Sequence, residues 1–451
     1  MRALCLLAAL AVAAPAGAKV TTARGASAQA FPFPIETHTL PNGVRLVLVS
    51  YDSPGLVAYY TLMRVGSRNE PEKGRSGYAH FFEHMMFRGT KKHPAAEYSE
   101  TMSRLGLDTN AFTSEDMTVY HAFGPAKALP TIIEYESDRF MNLAYDEAQF
   151  RTEAGAILGE YAKSASDPEL KLEEKLLETA FTTHTYRHTT IGYLEDVKNM
   201  PGGFTYSREF FKRYYTPDNA TVVVAGDFDK QATLAQLTKA YSPWRGKLDP
   251  VAIPAEPAQT EPRRVHLDWP MPTLPRLWLA WHTAGADDLT AAAVQTVLNA
   301  YLFGPTSPLY QDLVLGRQLV EALEPTWERH RDPALFGVLL RVRKAGDLDA
   351  VEATITREVS KLAAGAVDRQ RLDAVRAHLK YERVLGLDTA NRVAGTLAVT
   401  SAQTGDLQSL NELFARIDKL EPAELVMFAK KYLNDANRTT ETLTSTAEVQ
   451  K

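Results

Sequence analysis

His80, Glu83 and His84 fall within one stretch of five residues, in a chain of 451 that has only 11 histidines. On a helix, His80 and His84 stand one above the other on a single face. Two imidazoles so placed can grip one zinc ion. Glu83 follows His80 by three positions, so its carboxylate projects near the same face and reaches a water on the metal more easily than the metal itself. Zinc lowers the pKa of such a water toward about 7, and a nearby carboxylate can then take its proton. Phe81, Phe82, Met85, Met86 and Phe87 make the helix apolar almost all round. It should therefore be buried, and buried His and Glu need partners, which a metal supplies. Two histidines are half a site, because a catalytic zinc usually takes three protein ligands. Glu153 and Glu160 lie two turns apart on one helical face. One can bind metal while the other hydrogen-bonds a histidine from behind.

The elements that must hold these groups can be read from periodicity. Glu36 to Gly66 reads as two strands, with Val44, Leu46 and Leu48 alternating. Ser76 to Arg88 reads as a helix with Gly89 as its C-cap. Helical patterns follow near 96–105, 130–142 and 146–164, and the β-branched run Thr221 to Ala225 reads as a buried strand. Pro250, Pro254, Pro257 and Pro262 mark an extended linker. Beyond it the pattern repeats. Val265 to Trp269 is similar to Val44 to Leu48, and Arg276 to Thr283 to Ala58 to Val65. The apolar helix Ala291 to Phe303 matches the histidine helix. With Gly304 set level with Gly89, Gln295, Leu298 and Asn299 fall opposite His80, Glu83 and His84, so the second half is expected to lack ligands. The two halves are expected to be two similar domains of strands and helices. The expected division is 1–28 signal peptide and spacer, 33–245 first domain with the zinc site, 246–263 linker and 264–440 second domain.

A net charge of −5, with no basic stripe, argues against a nucleic-acid partner. Met1-Arg2, the apolar run Leu4 to Pro15 and the small-residue pattern Ala16-Gly17-Ala18, with Ala26-Ser27-Ala28 as a second candidate, read as a secretory signal peptide. No later stretch is long and apolar enough to span a membrane. The expected location is a bacterial periplasm, with secretion as the alternative. The sole cysteine, Cys5, falls in that leader, so the mature chain has no thiol nucleophile and no thiolate ligand.

The His-x-x-Glu-His order reverses the commoner His-Glu-x-x-His and is the inverzincin pattern of zinc metallopeptidases. The longer stretch Gly77-Tyr78-Ala79-His80-Phe81-Phe82-Glu83-His84-Met85-Met86-Phe87-Arg88-Gly89-Thr90 resembles the pitrilysin or insulinase family, the M16 zinc peptidases. Asn110-Ala111-Phe112-Thr113 with Thr118 and Tyr120, then His184-Thr185-Tyr186 with Ile191-Gly192, and Tyr214 to Asn219 followed by Val222 to Asp229, extend the likeness. It covers about residues 36 to 435.

The resemblance implies the α+β class, with two homologous domains, each a mostly antiparallel sheet covered by helices. It also implies one zinc ion per chain held by His80, His84 and Glu160, with Glu153 behind the histidines and Glu83 as general base. It implies that Asn110, Ala111, Phe112 and Thr113 form a strand that pairs with a peptide substrate. In many members the second half also supplies an Arg and a Tyr from a segment like Leu-Arg-Glu-x-x-Gly-Leu-Ala-Tyr. Here Val314 and Glu321 occupy those places, and Arg317 is a nearby but solvated candidate. Losing such donors typically costs about 10²–10³ in rate. The expected assembly is a heterodimer with a related subunit that carries the missing pair, resembling two-component bacterial members, with a homodimer as the alternative. The competing function is a non-catalytic peptide-binding or structural subunit.

Overall fold

The computed structural model describes residues 30–447. The signal-peptide expectation concerns residues 1–28 and lies outside them, as does Cys5. Among the described residues no helix is long and apolar enough to cross a membrane.

The first sheet contains β1 (Glu36–Thr39), β2 (Arg45–Ser50), β3 (Leu56–Met63), β4 (Asp108–Thr113), β5 (Thr118–Pro125) and β6 (Ala220–Gly226). Their spatial order is β1-β2-β6-β3-β5-β4. The second contains β7 (Arg263–Trp269), β8 (Arg276–His282), β9 (Val320–Pro325), β10 (Leu335–Val342) and β11 (Arg438–Ser445), in the order β7-β11-β8-β10-β9. Without β1 the two orders are the same. In each sheet one pair is parallel, β2 with β6 inside the first and β7 with β11 at the edge of the second. All other pairs are antiparallel. The chain is a two-domain α+β fold with an internal repeat.

Two sequence readings change. Glu36 to Gly66 holds three strands, because the turn at Pro41-Asn42-Gly43 folds β1 back onto β2, with Leu40 N–H donating to the Val44 carbonyl at 2.9 Å. In addition, β2 is not a strand with one wet face: Leu46, Val47, Leu48 and Val49 are all fully buried.

The reason lies in the helices. Helices α1 (Tyr78–Met85), α2 (Glu147–Ser164) and α3 (Pro168–Ala180) come from the first half. Helices α4 (Leu289–Phe303), α5 (Leu348–Ala363), α6 (Ala390–Thr404) and α7 (Pro422–Tyr432) come from the second. Leu46, Leu48, Val57 and Tyr59 face a core shared with α1 and α2. Val47, Val49, Ala58 and Val223 face Val393, Ala394, Leu397 and Ala398 of α6, a second-half helix. The exchange is reciprocal: Leu172 of α3, a first-half helix, packs with Trp269 and Leu443 of the second sheet. The other face of that sheet packs on α4, α5 and α7. Each sheet is thus closed by a helix from the opposite half.

Between Tyr241 and Arg263 the Pro-rich run has no helix or strand. It is nevertheless tied down. Glu256 accepts hydrogen bonds from the N–H groups of Thr182, Thr183 and His184 at 2.8, 2.8 and 2.9 Å. Burial works against the charge on Glu256, but these donors hold its pKa down at about 2. An unfolded Glu titrates near 4.3, so the depressed folded value adds stability above that pH that is lost as pH falls toward 2. Glu256→Gln is therefore expected to lower Tm at pH 6. The gap to wild type should shrink between about pH 4 and pH 2, measured by thermal melts across that range.

Candidate metal centre

Helix α1 starts at Gly77, whose φ of +90° is in the left-handed region and whose Cβ, if present, would lie 2.6 Å from the Ile191 carbonyl oxygen. Its first N–H groups are satisfied from a distance. Glu70 accepts from Gly77 N–H at 2.7 Å and from Ala79 N–H at 2.6 Å. Burial pushes the Glu70 carboxyl up to about 8, against the pull of those backbone donors. Phe81, Phe82 and Met85 are fully buried, and Tyr120 OH donates to the Phe82 carbonyl at 3.2 Å. The helix ends in a tight turn over Met86–Arg88, closed by Gly89 with φ +82°. Packing on both sides therefore fixes the rotation of α1 and the direction in which His80 and His84 point.

Helix α2 lies against α1 and begins with a reciprocal cap, Asp146 accepting from Gln149 N–H and the Gln149 side chain from Asp146 N–H. It brings both glutamates to the histidines. Nε2 of His80 is 3.7 Å from Glu160 Oε2, and Nε2 of His84 is 3.4 Å from the same oxygen. The three donor atoms lie within 4.8 Å of one another, and among the described residues no other trio of His, Cys, Asp or Glu does so. A tetrahedral zinc with ligands at about 2.1 Å spaces those ligands about 3.4 Å apart. The set of two imidazole nitrogens and one carboxylate oxygen fits that ion.

Glu153 is buried behind His84, with Oε1 2.9 Å from His84 Nδ1. Its other oxygen pairs with Arg88. Burial alone would raise the Glu153 pKa, but His84 and Arg88 hold it below the usual value. Burial and the neighbouring His84 lower His80 to about 4, so it stays neutral near pH 7 with a lone pair to offer. Its Nδ1 is buried without a partner. Burial also opposes charge on His84, yet Glu153, Glu160 and Glu83 together raise its pKa. The three carboxylates thus favour positive charge at His84.

Glu83 lines the same cleft, with His84, Arg88, Asn110 and Glu153. Its Oε2 accepts from Thr113 Oγ1 at 2.6 Å, and burial raises its pKa. Thr113 ends β4, one of the two edge strands of the first sheet, which pairs only with β5. Ala111 is buried beside the core, while Phe112 is 39% exposed. The Ala111 N–H is taken by the Asn110 side chain at 2.9 Å.

In the second half, Gln295 is buried and bonded to Thr283, and Asn299 Oδ1 is buried without a partner. Val314 packs against the second core. Glu321 is exposed on β9, an edge strand. Arg317 pairs with Asp312 and donates to Thr354. Gln318 has φ +52°, and it stands where the implied Leu-Arg-Glu-x-x-Gly pattern has glycine.

Three groups that matter here escaped the sequence reading. Arg88 follows His84 by four positions, so helical spacing could have placed it on the same face. Thr113 was read as part of the substrate strand, with nothing to tie it to Glu83. Glu70 lies ten residues before His80 and carries no local capping signature.

Residues 47–193 match the family model "Insulinase (Peptidase family M16)", and residues 206–379 match "Peptidase M16 inactive domain". The chain is 27% identical to the zinc protease PqqE of Helicobacter pylori over 93% of this chain and 95% of that one. It is 26% identical to a probable mitochondrial-processing peptidase subunit beta of Arabidopsis thaliana, over 88% of this chain and 76% of that one. A crystal structure of a protease from Helicobacter pylori superposes with a TM-score of 0.86 at 27% identity, covering 91% of this chain and 99% of the other.

Proposed function

Because the chain belongs to peptidase family M16, we infer that it is a zinc-dependent endopeptidase acting on peptides or unfolded segments. The observation that carries this reading is the convergence of His80, His84 and Glu160 with Glu83 beside an open strand edge. His80, His84 and Glu160 are the proposed ligands, and Glu153 orients His84 through Nδ1. Zinc held there would supply Lewis-acid polarisation of the scissile carbonyl and acidify a water. Glu83 takes a proton from the attacking water and later delivers it to the leaving nitrogen. Thr113 occupies Oε2 and so leaves Oε1 as the oxygen that would take the proton. The β4 edge, from Asn110 to Thr113, offers backbone groups to an extended substrate, which must displace the Asn110 side chain from the Ala111 N–H.

The missing Arg and Tyr favour a paired assembly. Val314 and Glu321 cannot replace them, and Arg317 is already engaged by Asp312. A related subunit carrying the pair would complete the site, and a homodimer is the alternative arrangement. The N-terminal residues Met1 to Ala28 support export, to a periplasm in the first instance. The domain limits 33–245 and 264–440 remain our division of the chain. A non-catalytic peptide-binding subunit is the rival reading.

Metal removal separates the two. The purified chain is expected to carry about one zinc per molecule and to cleave an unstructured peptide. Chelation should abolish cleavage and stoichiometric zinc should restore it. A chain that binds peptide but holds no zinc and cleaves nothing, even with its co-purified partner, favours the rival.

A further inference from the structure

The turn from β4 to β5 is gripped from two sides. One grip comes from the first half. Arg68 N–H donates to the Glu115 carbonyl at 2.8 Å, and Ser67 N–H to the Ser114 carbonyl at 3.3 Å. A side chain at Gly66 would stand 2.2 Å from the Ser114 oxygen, so the turn lies directly on that backbone. The second grip crosses between halves and centres on Asp116, which is 1% exposed. Tyr186 OH donates to its Oδ1 at 2.7 Å. The Arg331 N–H, from the loop between β9 and β10 of the second half, donates to its Oδ2 at 2.9 Å. His330 Nδ1 lies 3.4 Å from the same oxygen. The next residue, Asp332, receives Arg68 Nε at 2.6 Å and stands 2.8 Å from His184 Nε2.

We propose that Asp116 is a positioning residue through which the second half fixes the end of β4 and hence the Glu83 carboxylate. Asp116 is three residues beyond Thr113, and Thr113 is the group that holds Glu83 Oε2. A short turn clamped at Asp116 cannot let Thr113 drift. The half that matches an "inactive domain" model thereby acts on the chemistry without touching it. This proposal rests on the reading of Glu83 as the base. In Asp116→Asn the remaining oxygen can accept from the Arg331 N–H only while the new NH₂ takes the place of the acceptor for Tyr186 OH, and the charge facing His330 and Arg68 is gone, so the grip on both sides is weakened.

The test uses the full chain with zinc and its co-purified partner, and compares wild type, Asp116→Asn, Thr113→Val and the double variant. Zinc content, kcat and KM on an unstructured peptide, and amide exchange over residues 108–113 are measured. Misplacement by a fraction of an ångström is expected to lower kcat about tenfold in Asp116→Asn, by more than KM rises, with zinc retained. If Asp116 acts through Thr113, the double variant falls no more than about threefold below the worse single variant. Amide exchange over 108–113 speeds up in Asp116→Asn. Tyr186→Phe removes one donor only and gives the same pattern more weakly, which covers failure of Asp116→Asn to fold. A kcat within about twofold of wild type, or fully multiplicative effects, overturns the proposal. If wild type itself cleaves nothing and holds no zinc, the reading of Glu83 fails instead. In that case unchanged exchange at β4 overturns the positioning role independently, and faster exchange there sustains its structural half.

Discussion

Glu83→Gln is expected to keep its zinc and lose between about 10² and 10⁴ in kcat. The substitution preserves volume, and the amide oxygen can still accept from Thr113, which now bonds Oε2 at 2.6 Å. What disappears is the ability to take a proton. The proposed ligands His80, His84 and Glu160 are untouched, so zinc analysis and kcat should part company in this variant. His84→Ala, by contrast, removes both a donor atom and the partner of Glu153, and zinc content and kcat should fall together. Near-wild-type cleavage by Glu83→Gln at full zinc occupancy would remove Glu83 from the base role.

Leu397→Ala is expected to cost about 2–5 kcal/mol, because Leu397 is fully buried and its neighbours can close the gap only in part. The form of the transition is more telling than its size. Leu397 belongs to α6, from the second half, yet it packs on Val47, Val49 and Val223 of the first sheet. Leu172→Ala makes the mirror-image cut, since Leu172 belongs to α3 but packs beside Trp269 and Leu443. With each sheet closed by the other half, both variants should melt in one transition, shifted by a few degrees. Calorimetry giving two resolved transitions in either variant would show that the halves are independently stable and that the exchange contributes little.

The repeat and the histidine helix were legible from sequence because both are local. Three-residue and four-residue spacings settle which side chains share a face, and the apolar flanks of His80 to His84 settle that the face is buried. Residue spacing left Glu153 and Glu160 interchangeable; family likeness separated them, and the folded chain puts Glu160 at the imidazoles and Glu153 behind His84. What local pattern could not carry is anything made between halves. Val44, Leu46 and Leu48 read as one buried face of a strand, and Val47 and Val49 looked free to face water until a helix some 340 residues later covered them. The same blindness hid Asp116. A lone acid in a turn reads as solvated, and only the loop at His330 to Asp332 makes it a buried junction.

The helix exchange also sets a clock. Strand β6 completes the first sheet at Gly226, but the helix that covers its outer face ends at Thr404. At about 5–20 residues per second, a ribosome needs roughly ten to forty seconds to deliver that cover. During this interval the Val47, Val49 and Val223 surface is exposed, and α3 waits beside a sheet not yet made. A nascent first half is therefore expected to bind holding chaperones until that cover arrives. The same dependence means that severing the chain in its Pro-rich linker should give two fragments that fold only when they meet.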